Sequence, residues 1–113
     1  MAGRPEAPRG VRRGEVWWVE APDIAARPHL ILTRDEAIAT LQHLVAVPAT
    51  RTIRGIPTEV SLGPGDGLPQ ECVLSADNIR VVERSYFTQR ITALHPAKLN
   101  AVCKALAAAT ACN

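Results

Sequence analysis

The stretch Arg27-Pro28-His29-Leu30-Ile31-Leu32-Thr33 decides how the rest of the chain folds around it. It runs from a cation through a proline into an aliphatic segment with a polar end, the pattern of a buried strand. His29 and Ile31 fall on one face, and Pro28, Leu30 and Leu32 on the other. Apolar groups on both faces suit a central strand better than an edge. Proline donates nothing to a ladder, so Pro28 marks the strand's beginning. Arg27 then sits at the mouth of the sheet, where a stiff strand positions its guanidinium against a phosphate. The alternative is an ordinary solvated arginine ahead of a strand.

Upstream, Arg13 to Glu20 reads as the first strand, with Val16 and Trp18 on one face and Trp17 and Val19 on the other. Adjacent tryptophans cannot share a face, so one fills the core and the other lies at a surface or interface; packing and base stacking both remain open for them. Ala21 to Ala26 connects this strand to the central one. Downstream, Thr33-Arg34-Asp35-Glu36 has the form of a capping box and predicts a short helix ending near Gln42, with Ile38 and Leu41 on one face. Leu44 to Pro48 predicts a strand that leaves its ladder at Pro48. Thr50 is then that strand's last outward hydroxyl or the first residue of a polar loop, Arg51 to Gly55. Pro57 to Leu62 alternates as a strand, and Gly63 to Gly67 is a turn. Glu71–Leu74, Asn78–Val82 and Gln89–Ala93 are further strands. Pro96 opens a C-terminal helix with a stripe of Leu99, Val102, Cys103 and Leu106, although His95 is a poor cap.

These elements predict a mainly β (α+β) domain of six to seven short strands, a curled sheet or small barrel with helices over its open side. A chain of 113 residues holds one core, expected over residues 12–113 after a flexible arm at 1–11. The beginning has no apolar segment of a secretory signal, and no apolar run approaches the ~20 residues of a membrane span. Cys72, Cys103 and Cys112 have no metal-ligand spacing and read as reduced thiols, so no metal or cofactor is expected. The formal charge of +2 is uneven. Residues 1–14 carry Arg4, Arg9, Arg12 and Arg13 against Glu6, a local +3 that leaves about −1 on the rest. Overall charge is thus a weak argument for nucleic acid, and local arginines must carry that case.

Several motifs occur in register. Arg13-Gly14-Glu15-Val16-Trp17, Arg27-Pro28 before an aliphatic strand, and Val47-Pro48-Ala49-Thr50 are followed by Pro57-Thr58-Glu59-Val60 and Gly67-Leu68-Pro69 through Cys72-Val73. Ala76-Asp77-Asn78-Ile79-Arg80 and Arg90 to Pro96 complete the series. Over about residues 12 to 110 the chain resembles the MazF/PemK family of toxin endoribonucleases. The resemblance implies an SH3-like barrel, a homodimer, RNA cleavage without metal, and a cognate antitoxin that wraps the dimer; single-stranded RNA is the expected substrate, and the reduced thiols point to the cytoplasm. It also implies that Arg27 and Thr50 are the functional arginine and threonine. The first connection is shorter than usual in the family, His29 replaces a small or aliphatic residue, and Arg51 follows Thr50 where serine or threonine is common.

Metal-independent RNA cleavage uses the substrate's 2′-hydroxyl and leaves a 2′,3′-cyclic phosphate and a 5′-hydroxyl. It needs cations at the developing phosphorane charge, which suits Arg27 because a guanidinium is a poor base. Thr50 can donate to the same phosphate. His29 shares a face with Arg27 and is either catalytic support or a packed, hydrogen-bonded histidine. Asp77 reads as a buried turn or ion-pair residue. Arg51, Thr52, Arg54, Arg80 and Arg84 are candidate RNA contacts if the fold gathers them beside Arg27, and Arg90 is open to the same test; scattered, they are solvated charges. A non-enzymatic toxin of the same fold that poisons a protein such as a topoisomerase, and a plain SH3-like binding module, are the competing functions.

Overall fold

The computed structural model describes residues 10–112, so the expected arm at 1–11 lies largely outside the described residues. Seven strands and two helices follow in the order β1 (Glu15–Val19), β2 (Arg27–Ile31), α1 (Asp35–Ile38), β3 (His43–Thr50), β4 (Glu59–Leu62), β5 (Cys72–Ser75), β6 (Arg80–Glu83), β7 (Phe87–Ala93) and α2 (Pro96–Thr110). Single 3-10 turns sit at Pro64–Asp66, Ala76–Asn78 and Arg84–Tyr86. The sheet is antiparallel in the order β4-β5-β3-β2-β1-β7, with β6 also paired to β3. Its curl comes from β3, whose first half pairs β6 through His43–Ala46 and whose end pairs β5 through Ala49 and Thr50. The changeover falls at Pro48, which stays inside the strand opposite His29 rather than ending it. The expected barrel is curled but not closed, because among the described residues no pairing joins β4 to β7.

β2 is central, as its two apolar faces require. Alternation sends Val16, Leu30 and Val47 into one core with Leu62, Leu74 and Val102 of α2. The opposite face packs Trp17, Val19, Ile31, Leu44 and Phe87. Each such burial contributes roughly 1.5–3 kcal/mol relative to exposure. Trp17 is buried and Trp18 half-exposed, so the tryptophan pair divides between core and surface.

Four local expectations are corrected. Thr33 does not cap α1, whose N-cap is Arg34 without a side-chain bond; the Thr33 Oγ1 instead accepts from Val45 N at 2.7 Å and ties the end of β2 to β3. Without that cap α1 spans only four residues and stops at Ile38, and Leu41 turns to solvent while Ile38 is buried. His95, expected to cap poorly, is the N-cap of α2, its Nδ1 accepting from Ala97 N at 3.1 Å with Pro96 in the first turn. Asp77 is exposed rather than buried, and its Oδ2 accepts from Thr58 Oγ1 at 2.6 Å.

Candidate functional site

The register of β2 on β3 positions the site. His29 pairs Pro48, Leu30 pairs Val47 and Ile31 pairs Ala46. The same register carried two places further sets Arg27 across from Thr50, where the strands part. Arg27 Nη1 donates to Ala49 O at 3.4 Å, which steers the guanidinium over the β3 end. A cleft of about 550 Å³ opens there, lined by Trp18, Pro28, Ala49, Arg51, Thr52 and Leu68 as well as Arg27 and Thr50. That volume and mixed lining suit a ligand with both apolar and anionic parts.

Thr50 Oγ1 accepts from Thr52 N at 3.1 Å. Its oxygen is thereby engaged while its proton remains free to donate into the cleft. Arg51 Nη1 donates to Gln70 Oε1 at 2.6 Å and joins the two loops that frame the cleft. The loop carrying Leu68, Pro69 and Gln70 is set by Gly67, in the left-handed region at φ 97. A Cβ at Gly67 would lie 2.7 Å from Thr92 Cβ, and only glycine fits that approach. The adjoining Asp66 O accepts from Thr92 Oγ1 at 3.0 Å. Lys98 of α2 holds the same turn, with Nζ 3.7 Å from Asp66 Oδ1 and donating to Ser61 O at 2.8 Å.

His29 is not brought into the cleft. It is fully buried, with Nδ1 3.1 Å from Arg27 O and Nε2 without a partner. Burial is the main reason its pKa falls from 6.5 to about 4; the bond to the Arg27 carbonyl opposes the shift, and the charges of Arg80 and Arg27 add to it. The ring is therefore neutral at pH 7, and Nδ1–H donates to the carbonyl of Arg27. That is the packed, hydrogen-bonded alternative, and it steadies the backbone that carries Arg27.

The arginines divide. Arg51 and Thr52 line the cleft. Arg54 is exposed beyond it on a loop whose Arg54 and Gly55 N–H groups both donate to Glu59 Oε1 at 3.0 Å. Arg80 is half-buried opposite Ala46 on β3, close enough for its charge to bear on His29, but it does not line the cleft. Arg84 lies at the far end of β3, where Nε donates to Leu41 O at 3.0 Å and Nη2 to Ile38 O, so it satisfies the carbonyl at the end of α1 and one in the turn that follows. Arg90 pairs with buried Glu15, Nε to Oε2 at 3.0 Å, beside Trp17 Nε1 on Oε1 at 2.9 Å. Among the described residues no group of three or more His, Cys, Asp or Glu is placed to hold a metal.

Sequence reasoning left Leu68, Gln70 and Cys72 out of the site. Their signals were the glycine turn before them and the family motif from Gly67 to Val73, which set where the chain returns but not that it returns beside Thr50. Cys72 lines the cleft and is buried, and burial, with the Asp66 charge second, raises its thiol pKa. All three cysteines are free.

Residues 12–110 match the family described as PemK-like, MazF-like toxin of type II toxin-antitoxin system. The chain is 41% identical over 103 residues to the probable endoribonuclease MazF2 of Mycobacterium tuberculosis, covering 90% of this chain and 100% of that protein. It is 38% identical over 102 residues to the probable endoribonuclease MazF5 of the same organism, covering 89% and 94%. Among solved structures it superposes on Mycobacterium tuberculosis toxin MazF-mt6 with a TM-score of 0.81 at 29% identity, covering 88% of this chain and 98% of that one. A mycobacterial endoribonuclease in complex with its cognate antitoxin gives a TM-score of 0.81 at 31% identity, covering 92% and 98%. With the family match spanning nearly the whole domain, this chain belongs to the PemK-like, MazF-like toxins of type II toxin–antitoxin systems.

Proposed function

We propose that this toxin is an endoribonuclease that cuts single-stranded RNA by attack of the substrate's own 2′-hydroxyl, leaving 2′,3′-cyclic phosphate and 5′-hydroxyl ends. The observation that carries the reading is Arg27 facing Thr50 at the mouth of one cleft, a fixed cation opposite a hydroxyl with a free proton. Arg27 offers a two-pronged contact to non-bridging phosphate oxygens and stabilises charge as the phosphorane forms. Thr50 donates to the same phosphate, and Arg51 supplies a second cation for the strand's path. Relatives named as endoribonucleases support the reaction class. The donor set supports cleavage without metal, since the cleft presents arginine and hydroxyls rather than carboxylates and imidazoles.

The active species is a homodimer in the cytoplasm, neutralised by a cognate antitoxin that competes with RNA for Arg27 and Arg51. The antitoxin complex of a similar toxin supports the partner. Val81, 63% exposed on β6, and Leu41 at 42% leave apolar surface for a second subunit. No described helix is long and apolar enough to cross a membrane. The test is labelled single-stranded RNA incubated with the protein in EDTA. Discrete cuts with cyclic phosphate ends are expected; loss of cutting on chelation, restored by magnesium or zinc, contradicts the proposal.

A further inference from the structure

Trp18 lies in the cleft yet has no place in the phosphate chemistry. It is half-exposed, whereas its neighbours Trp17 and Val19 are buried at 6% and 0%. Three features set its position. Across the β1–β2 ladder it pairs with Pro28, which also lines the cleft and adjoins Arg27. Its indole Nε1 donates to Glu20 Oε2 at 2.8 Å, so the polar edge is satisfied within the protein. The register of β1 on β7 shifts between Trp18 and Val19, and Thr88, the residue passed over in β7, donates from Oγ1 to Trp18 O at 3.3 Å. Irregularities of this kind re-aim side chains beside active sites.

A core tryptophan would be covered, and one serving only as a hydrogen-bond donor would keep its Nε1 free for a ligand. Here the donor is occupied by Glu20, and part of the ring's surface is left to the cleft. An aromatic surface beside a phosphate-binding cation is the arrangement that holds a nucleobase by stacking. We propose that Trp18 is a positioning residue that stacks one base of the RNA, that of a nucleotide flanking the scissile phosphate held by Arg27 and Thr50. The inference rests on the RNA-cleaving reading and adds which side chain holds a base. Stacking is tolerant of base identity, so Trp18 fixes the register of the strand, and polar neighbours such as Gln70 are left to discriminate bases.

The experiment uses the full chain and a short single-stranded RNA bearing one mapped cut site, with an abasic nucleotide moved along it one position at a time. The probe for affinity is the same oligonucleotide made uncleavable by 2′-O-methylation at the cut. For the wild type, removing the stacked base within one nucleotide of the cut weakens binding on the order of tenfold to a hundredfold. Trp18→Leu, which keeps apolar bulk without a flat ring, weakens binding of the intact RNA by a similar factor and raises KM with little change in kcat. The same abasic substitution then costs Trp18→Leu almost nothing more, and Trp18→Phe binds within a fewfold of wild type. Equal abasic losses in wild type and Trp18→Leu at every position overturn the inference, as does a coupled position remote from the cut. Trp18→Phe, with matching thermal melts, keeps the test open if Trp18→Leu folds poorly. Absence of any RNA cutting by the wild type counts instead against the catalytic reading.

Discussion

Arg27 and Thr50 stand opposite each other where β2 and β3 part, two register places beyond the His29–Pro48 pair. Neither is on a free loop: Arg27 opens a strand buried on both faces, and Thr50 closes a strand held on both edges. The pair is thus preorganised by the sheet, which is what a site needs if its donors are to meet developing charge without moving.

His29 makes this end of the sheet sensitive to acid. Its folded pKa of about 4 lies below the ordinary 6.5, so between those values the unfolded chain binds the extra proton. Its contribution is fully present above pH 6.5, is lost as pH falls towards 4, and changes little below that. From pH 7 to 4.5 the loss attributable to His29 is ~2–3 kcal/mol. Denaturant titrations at both pH values should show a larger drop for wild type than for His29→Gln by about that amount. Equal drops would mean that the ring is not held neutral in the fold.

The two arginines that flank β3 separate binding from stability. Arg51→Ala removes a cation from the cleft, weakens RNA binding, and lowers the slope of log affinity against log salt by about 0.7. Arg84→Ala frees the carbonyls of Ile38 and Leu41 and costs roughly 1 kcal/mol of stability. It leaves the salt slope unchanged, because Arg84 lies at the other end of β3. Salt titrations of RNA binding beside thermal melts check both outcomes, and a reduced salt slope for Arg84→Ala would place RNA well outside the cleft.

Gly67→Ala is expected to damage fold and site together. A left-handed φ of 97 and the close approach to Thr92 add to a cost of about 2 kcal/mol or more. The loop that shifts carries Leu68 and Gln70, so KM should rise in the molecules that remain folded. Gly65→Ala, where a Cβ meets nothing within 4 Å, is the matched control and should melt near wild type.

Period-two alternation makes the strands legible, and the two apolar faces of Leu30-Ile31-Leu32 mark β2 as central from the sequence alone. Arg27 and Thr50 were legible as a pair only through family resemblance, since nothing local to either residue reveals a cross-strand register. Two of the errors share a cause, competition for a group's single best partner. Thr33 had a capping pattern, but a strand N–H at Val45 claimed its oxygen. Arg84 reads with the basic residues, but the carbonyls of Ile38 and Leu41 claim its guanidinium. His95 lacks a hydroxyl or carboxylate, yet its Nδ1 accepts from the Ala97 amide. Leu68 and Gln70 could not be placed because a glycine turn fixes local direction, whereas their arrival at the cleft depends on Thr92 and Lys98, distant in sequence.

Single-turnover RNA cleavage by Arg27→Ala, Thr50→Ala and the double variant, each with wild-type melting behaviour, tests the central claim most directly. Loss of Arg27 should slow cleavage on the order of a hundredfold or more, as loss of one preorganised donor does. Arg27→Lys should rescue poorly because a point charge lacks the fork. Thr50→Ala should cost no more than Arg27→Ala, Thr50→Ser should be tolerated, and the double variant should lose less than the product of the single losses if both act on one phosphate. A folded Arg27→Ala protein that cleaves at nearly the wild-type rate would contradict the account and put the reaction somewhere other than this cleft.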